Sequence, residues 1–128
     1  MNKRIVFTPN APQPKGPYSQ AVVAGNTVYV AGQGGFDPVS GKLMNATFEE
    51  EVTRTFENVK AILAAAGATM NEVVKVNVYL TDLNNFGRMN EIYKKYFVSD
   101  YPARATVGSA LLLGTQIEID CVAVVESA

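Results

Sequence analysis

Arg104 and Glu118 are the charged side chains whose types and placement could do chemistry. Each stands in a stretch that otherwise reads as a buried strand. Arg104 follows Pro102 and opens the small, apolar run Ala105 to Ala110. Glu118 lies between Ile117 and Ile119, so strand alternation points it away from both isoleucines. A hairpin turning at Leu111–Thr115 would bring both charges to the same open end, where a guanidinium and a carboxylate face one small space. The planar fork of arginine matches a carboxylate with two parallel hydrogen bonds. A glutamate can carry a proton or orient a water. Spacing alone leaves two readings open: a site that grips a small carboxylate, or a structural ion pair tying two strands, which is the commoner arrangement.

The rest of the composition narrows the chemistry. Histidine is absent and there is one cysteine, which excludes Ser-His-Asp and Cys-His nucleophile systems and a His or multi-Cys metal site within one chain. The net charge is −1 and no run of Lys or Arg occurs, which argues against a nucleic-acid surface. With 128 residues, 48% hydrophobic and 18% charged, the chain fits one globular domain spanning 1–128. The apolar run after Lys3 and Arg4 stops at Phe7, short of a secretory leader. No stretch reaches the ~18 apolar residues of a membrane span. A lone cysteine suits a reducing compartment, and a cytoplasmic protein is expected.

The elements that must position Arg104 and Glu118 read from the chain in order. Arg4–Thr8 is a short strand stopped by Pro9, and Pro9, Pro12, Pro14 and Pro17 keep the next stretch extended. That stretch delivers Tyr18 and Ser19 just before a strand, where hydroxyls can face a cleft or a tyrosine can simply pack at a strand edge. Gln20–Ala24 and Thr27–Ala31 flank Gly25-Asn26, a hairpin signal. The glycines after them, Gly32, Gly34 and Gly35, lack the spacing and lysine of a phosphate loop, and suit a bulge or a close backbone approach.

Thr47 and Glu50 have the form of a capping box at the start of a helix whose buried face is Phe48, Val52, Phe56, Val59, Ile62 and Leu63. Val74 to Leu80 is a strand. Asn84 or Asn85 caps a second helix, with Phe86, Met89, Ile92, Tyr93, Tyr96 and Phe97 in the core and Asn90 read as a solvated helix residue. The order β-β-β-α-β-α-β-β predicts an α+β fold with a mixed sheet and two helices on one face. Cys121 falls on the helix side as an inert hydrophobe, while Val122 and Val124 are left on a face without intrachain cover. Burying a valine is worth roughly 1.5–3 kcal/mol, so that face is expected to meet another subunit.

Several stretches together resemble the Rid proteins, the reactive intermediate deaminases also called YjgF-like: Gly16-Pro-Tyr-Ser-Gln-Ala, Val28-Tyr-Val-Ala-Gly-Gln, Asn58 to Gly67, Leu80-Thr-Asp-Leu-Asn-Asn-Phe, Asn90-Glu-Ile-Tyr, Tyr101-Pro-Ala-Arg-Ala and Ile117-Glu-Ile-Asp. The resemblance covers nearly the whole chain. It implies a chorismate-mutase-like fold, a homotrimer with a ligand cleft at each subunit interface, and hydrolysis of 2-imino acids (2-iminopropanoate, 2-iminobutanoate) to 2-keto acids and ammonia. By the same resemblance Arg104 grips the substrate carboxylate, Glu118 handles the water or its proton, and Tyr18 closes the cleft. Asn90 and the backbone at Ala31 and Gly32 line the pocket, with Thr106 also in it. No metal or organic cofactor is implied, because an imine carbon is already electrophilic.

This chain departs from the family pattern at Ala31, often Ser; at Thr106, often Cys; at Gly34-Gly35; and in the turn Leu111–Thr115, which is shorter and lacks a proline. A non-catalytic trimer that binds small carboxylates or has a regulatory role is the alternative that these changes favour. An RNA-cleaving activity is a further rival, against which the missing histidine and basic cluster count.

Overall fold

Alternation along the strands divides the sheet into a covered face and an open one. The structure, a computed structural model, describes residues 2–126; residues 1, 127 and 128 of the expected 1–128 domain lie outside them. The chain runs β1 (Lys3–Val6), β2 (Ala21–Ala24), β3 (Thr27–Gln33), α1 (Phe48–Ala65), β4 (Val73–Leu80), α2 (Phe86–Tyr96), β5 (Ala103–Gly108) and β6 (Ile117–Val124). This is the expected order, and the fold is a mixed α+β arrangement. The strands form one sheet in the order β1-β2-β3-β6-β4-β5, in which β4 and β5 are the parallel pair.

Two rows of residues across the sheet show the division. Val6, Ala21, Val30, Cys121 and Val76 stand side by side on five strands, are all buried, and end at Arg104 on the edge strand β5. The next row, Ile5, Val22, Tyr29, Val122, Lys75 and Ala103, is half-buried or exposed throughout. Both helices lie over the first row. The ring of Phe56 on α1 stacks on Tyr96 of α2 at 4.7 Å and meets Tyr93 edge-on at 5.8 Å. Cys121 is on the helix side as expected, and burial drives its thiol up to about 12. Val122 and Val124 are on the open face as expected, with Val124, Tyr29 and Ile5 exposed. No helix of the described residues is long and apolar enough to cross a membrane.

The expected hairpin between the Arg104 and Glu118 strands does not form. β4 lies between β5 and β6 and pairs with both. The stretch β4–α2–β5 is a strand–helix–strand crossover, which sets β5 parallel beside β4 and leaves the other edge of β4 to β6. The segment after β5 therefore crosses the end of β4, held there by Ser109 N–H donating to the Leu80 carbonyl at 2.9 Å and Thr81 N–H to that of Gln116 at 3.1 Å. Leu111–Thr115 is the turn within this crossing.

The helix starts also differ in detail. Thr47 does accept from the Glu50 N–H at 3.0 Å, but the Glu50 carboxylate takes the Ala46 N–H at 3.3 Å, not that of Thr47. Ahead of α2, Asp82 caps a single 3₁₀ turn, Leu83–Asn85, through the Asn84 N–H at 2.9 Å. Neither asparagine caps with its side chain; that of Asn85 accepts from Arg88 at 3.1 Å. Phe86, expected in the core, is exposed and lies over Arg104 instead.

Candidate functional site

Arg104 and Glu118 leave the sheet from opposite faces. Arg104 is in register with Val76 and Glu118 with Tyr79 on the same strand, an odd number of residues apart. The expectation that both would face one small space is therefore wrong within a single chain. So is the alternative of an ion pair between them: among the described residues the side-chain ion pairs are Arg88–Glu49 and Lys94–Glu91.

The first cluster forms where α2 crosses the β5 edge. Arg104 Nη1 donates to Asn90 Oδ1 at 2.8 Å, and the guanidinium lies 4.6 Å from the centroid of the Tyr93 ring and 5.4 Å from that of Phe86. Phe86, Asn90 and Tyr93 recur at helical spacing, so one stripe of α2 holds the guanidinium. The cavity beside it, ≈ 590 Å³, is lined by Asn90, Tyr93, Tyr101 and Arg104. Arg104 has aromatic faces and an amide against it and, among the described residues, no ion-paired carboxylate; Glu91, which also lines the cavity, pairs with Lys94 at 3.5 Å. Two hydroxyls here, Tyr93 and Thr106, are buried without a hydrogen-bond partner. Burial pushes the Tyr93 phenol up, against the lowering pull of the adjacent Arg104 charge. Tyr93 is a residue that sequence reasoning placed in the core alone; its three-residue spacing from Asn90 was the available signal.

The second cluster forms around Glu118. A cleft of ≈ 100 Å³ is lined by Tyr18, Gly32, Lys15, Phe36, Leu113 and Glu118, among others. Burial first, and then the charge of Asp120, raise the Glu118 carboxyl above its ordinary value of 4.5. Tyr18 is half exposed, and its hydroxyl accepts the Lys15 backbone N–H at 3.1 Å. Ala31 takes part through its backbone, its N–H donating to the Gln20 carbonyl at 2.9 Å. The structure thus divides the expected site residues: Arg104, Asn90 and Thr106 on one side, and Tyr18, Ala31, Gly32 and Glu118 on the other.

Buried polar side chains that the sequence did not reveal fix this cleft. Gln20 binds the Pro-rich stretch, accepting the Thr8 N–H at 2.7 Å and donating to the carbonyls of Thr8 at 3.0 Å and Pro12 at 2.9 Å. Asn58 of α1 donates to the carbonyls of Gly34 and Phe36, both at 2.9 Å. Glu51, fully buried one helical heptad earlier, accepts the Gln116 N–H at 2.6 Å just before β6. One face of α1 therefore clamps both the loop after β3 and the entry to β6.

The glycines after β3 make two different close approaches. A Cβ at Gly35 would stand 2.7 Å from the backbone oxygen of Glu51, which cannot yield, so Gly35→Ala is expected to cost about 1–3 kcal/mol in thermal unfolding. A Cβ at Gly32 would stand 2.5 Å from Glu118 Oε2, the mobile end of a side chain. Gly32→Ala is expected to melt near the native temperature while its crystal structure shows the Glu118 carboxylate displaced. An equal loss of stability in both variants would refute the distinction.

Among the described residues no group of His, Cys, Asp and Glu could hold a metal ion. The endoribonuclease L-PSP family profile matches residues 8–125. The chain is 48% identical over 124 residues to a RutC family protein of Pyrococcus abyssi, covering 96% of this chain and 98% of that one. It is 46% identical over 123 residues to the human 2-iminobutanoate/2-iminopropanoate deaminase, covering 95% and 90% of the two chains. The crystal structure of RidA from an Antarctic Psychrobacter superposes with a TM-score of 0.92 at 45% identity, covering 95% and 99%.

Proposed function

The chain belongs to the endoribonuclease L-PSP family, the Rid or YjgF proteins, and on that premise we propose that it hydrolyses small 2-imino acids to 2-keto acids and ammonia. The observation that carries this reading is an arginine held by an amide and two aromatic rings and ion-paired to no carboxylate among the described residues. A substrate carboxylate fits that guanidinium with two charge-assisted hydrogen bonds. Water adds to the carbon of the C=N bond, a C–O bond forms, the C–N bond then breaks, and the nitrogen leaves as ammonia. Ionised Glu118 takes one proton of the attacking water and passes it to the nitrogen; it then takes the second from the hydroxyl so formed, so that the carbonyl forms as the C–N bond breaks, and delivers that proton to the departing nitrogen as well. Tyr18 closes the cleft, with Ala31 and Gly32 on the Glu118 side of the substrate and Asn90 and Thr106 on the Arg104 side.

Because Arg104 and Glu118 stand on opposite faces of one sheet, this chemistry needs two copies of the chain, the Arg104 side of one meeting the Glu118 cleft of its neighbour. The open face supplies a reason for copies to associate: Ile5, Tyr29 and Val124 are 53%, 51% and 40% exposed in the single chain. A homotrimer with sites between subunits is the assembly we propose, in the cytoplasm. The family description also suggests RNA cleavage, but the chain has no histidine, and 11 basic against 12 acidic side chains give little to hold a phosphate backbone.

The test is the disappearance of freshly generated 2-iminopropanoate, followed against pH. A carboxyl raised in the folded state favours its protonated form, so its contribution to stability is full below 4.5 and is lost as pH rises through the raised value. Activity runs the other way, since the base must be ionised. The rate is expected to be flat between about pH 7 and 8, where no histidine titrates, and to fall on the acid side with a midpoint above 4.5. Asp120→Asn removes the second cause of the shift and is expected to move that midpoint down. A midpoint unmoved by Asp120→Asn, or no turnover at all, would count against Glu118 as the base.

A further inference from the structure

The Glu118 cleft also holds a cation that has no ion-pair partner among the described residues. Lys15 lines it, and its Nζ sits 3.2 Å from the centroid of the Phe36 ring. The loop that carries it is fixed, because the Lys15 N–H is bound to the Tyr18 hydroxyl and the preceding carbonyls to Gln20. Neither ion pair among the described residues includes Lys15. It does not neutralise Glu118, whose acidity follows burial and Asp120. Lys15 is largely exposed, and the slight desolvation of its ammonium pulls it below the usual lysine range. Lys15 is the one basic side chain lining this cleft among the described residues.

We propose that Lys15 is a specificity-determining residue that binds a second carboxylate, so that the site takes dicarboxylic 2-imino acids, those with an acidic group at the far end of the side chain. The inference rests on the imine-hydrolase reading above. There the α-carboxylate belongs to Arg104 and the imine carbon lies at Glu118. A further carboxylate on the substrate side chain then has Lys15 as its counter-charge in the cleft. The reaction is unchanged: imine and water give the 2-oxo dicarboxylate and ammonia.

Calorimetric titration with 2-oxoglutarate and 2-oxobutanoate, the oxo acids standing in for the imines, tests this through the ratio of the two Kd values. The native protein is expected to prefer 2-oxoglutarate by about tenfold or more, and the preference to shrink in ~1 M salt. Lys15→Met should bring the ratio near unity, and Lys15→Glu should invert it, with thermal melts confirming the fold of both. A native ratio near unity, or a preference that survives in Lys15→Met, would overturn the proposal. If 2-oxobutanoate binds and needs Arg104 while Lys15 makes no difference, this inference alone falls. If neither oxo acid binds, the imine-hydrolase reading falls with it.

Discussion

Arg104→Ala is expected to abolish turnover of 2-imino acids and the binding of 2-keto acids such as pyruvate, while the protein stays folded. Two hydrogen bonds to a charged group are worth about 3–6 kcal/mol together, which corresponds to a loss of roughly 10²–10⁴ in kcat/KM. The cost in stability should be much smaller. The guanidinium gives up a bond to Asn90 and its contacts with Tyr93 and Phe86, but it breaks no ion pair. Arg104→Lys keeps the charge and loses the fork and the flat face on Tyr93, so most of the activity should go with it. A strand-tying ion pair would predict another pattern, with Arg104→Ala and Glu118→Gln lowering the melting temperature alike. Keto-acid titration of folded Arg104→Ala beside its thermal melt decides between them, and native-like binding in that variant would sink the carboxylate grip.

Arg104 and Glu118 stand out in the sequence as candidates because each breaks a local rule: a charge in a strand of small or apolar residues. Their mutual position was not legible. It depends on which strand separates them, and that is settled by the crossover through α2, a long-range pairing on which hydrophobic alternation is silent. The period-of-two pattern in β6 did give the faces of Cys121, Val122 and Glu118 correctly, since alternation is a local property. The same pattern would have put Arg104 on the covered face, had β5 been set parallel beside β4. Glu51, Asn58 and Gln20 were missed for a different reason. A buried polar residue looks like a surface one until its backbone partners are known, and those partners lie 8 to 65 residues away.

Mixing two inactive variants is expected to restore activity. Arg104→Ala retains Glu118, and Glu118→Gln retains Arg104. If each site takes its arginine from one copy and its glutamate from the next, neither variant alone has a complete site. A trimer assembled from both has some. For equal amounts mixed at random, about a quarter of the interfaces would bring a native Arg104 to a native Glu118, a quarter would carry both lesions, and the rest one. The specific rate should therefore rise from near zero to about a quarter of native after joint refolding, and stay near zero when the separately assembled variants are combined without exchange. The opposite faces of Arg104 and Glu118 make this test sharp, because a site contained in one chain could gain nothing from mixing. Mixed oligomers verified by two affinity tags and found inactive would mean that Arg104 and Glu118 do not serve one site. Restored activity would place the reacting carbon between two subunits, with the open face of the sheet holding the copies together.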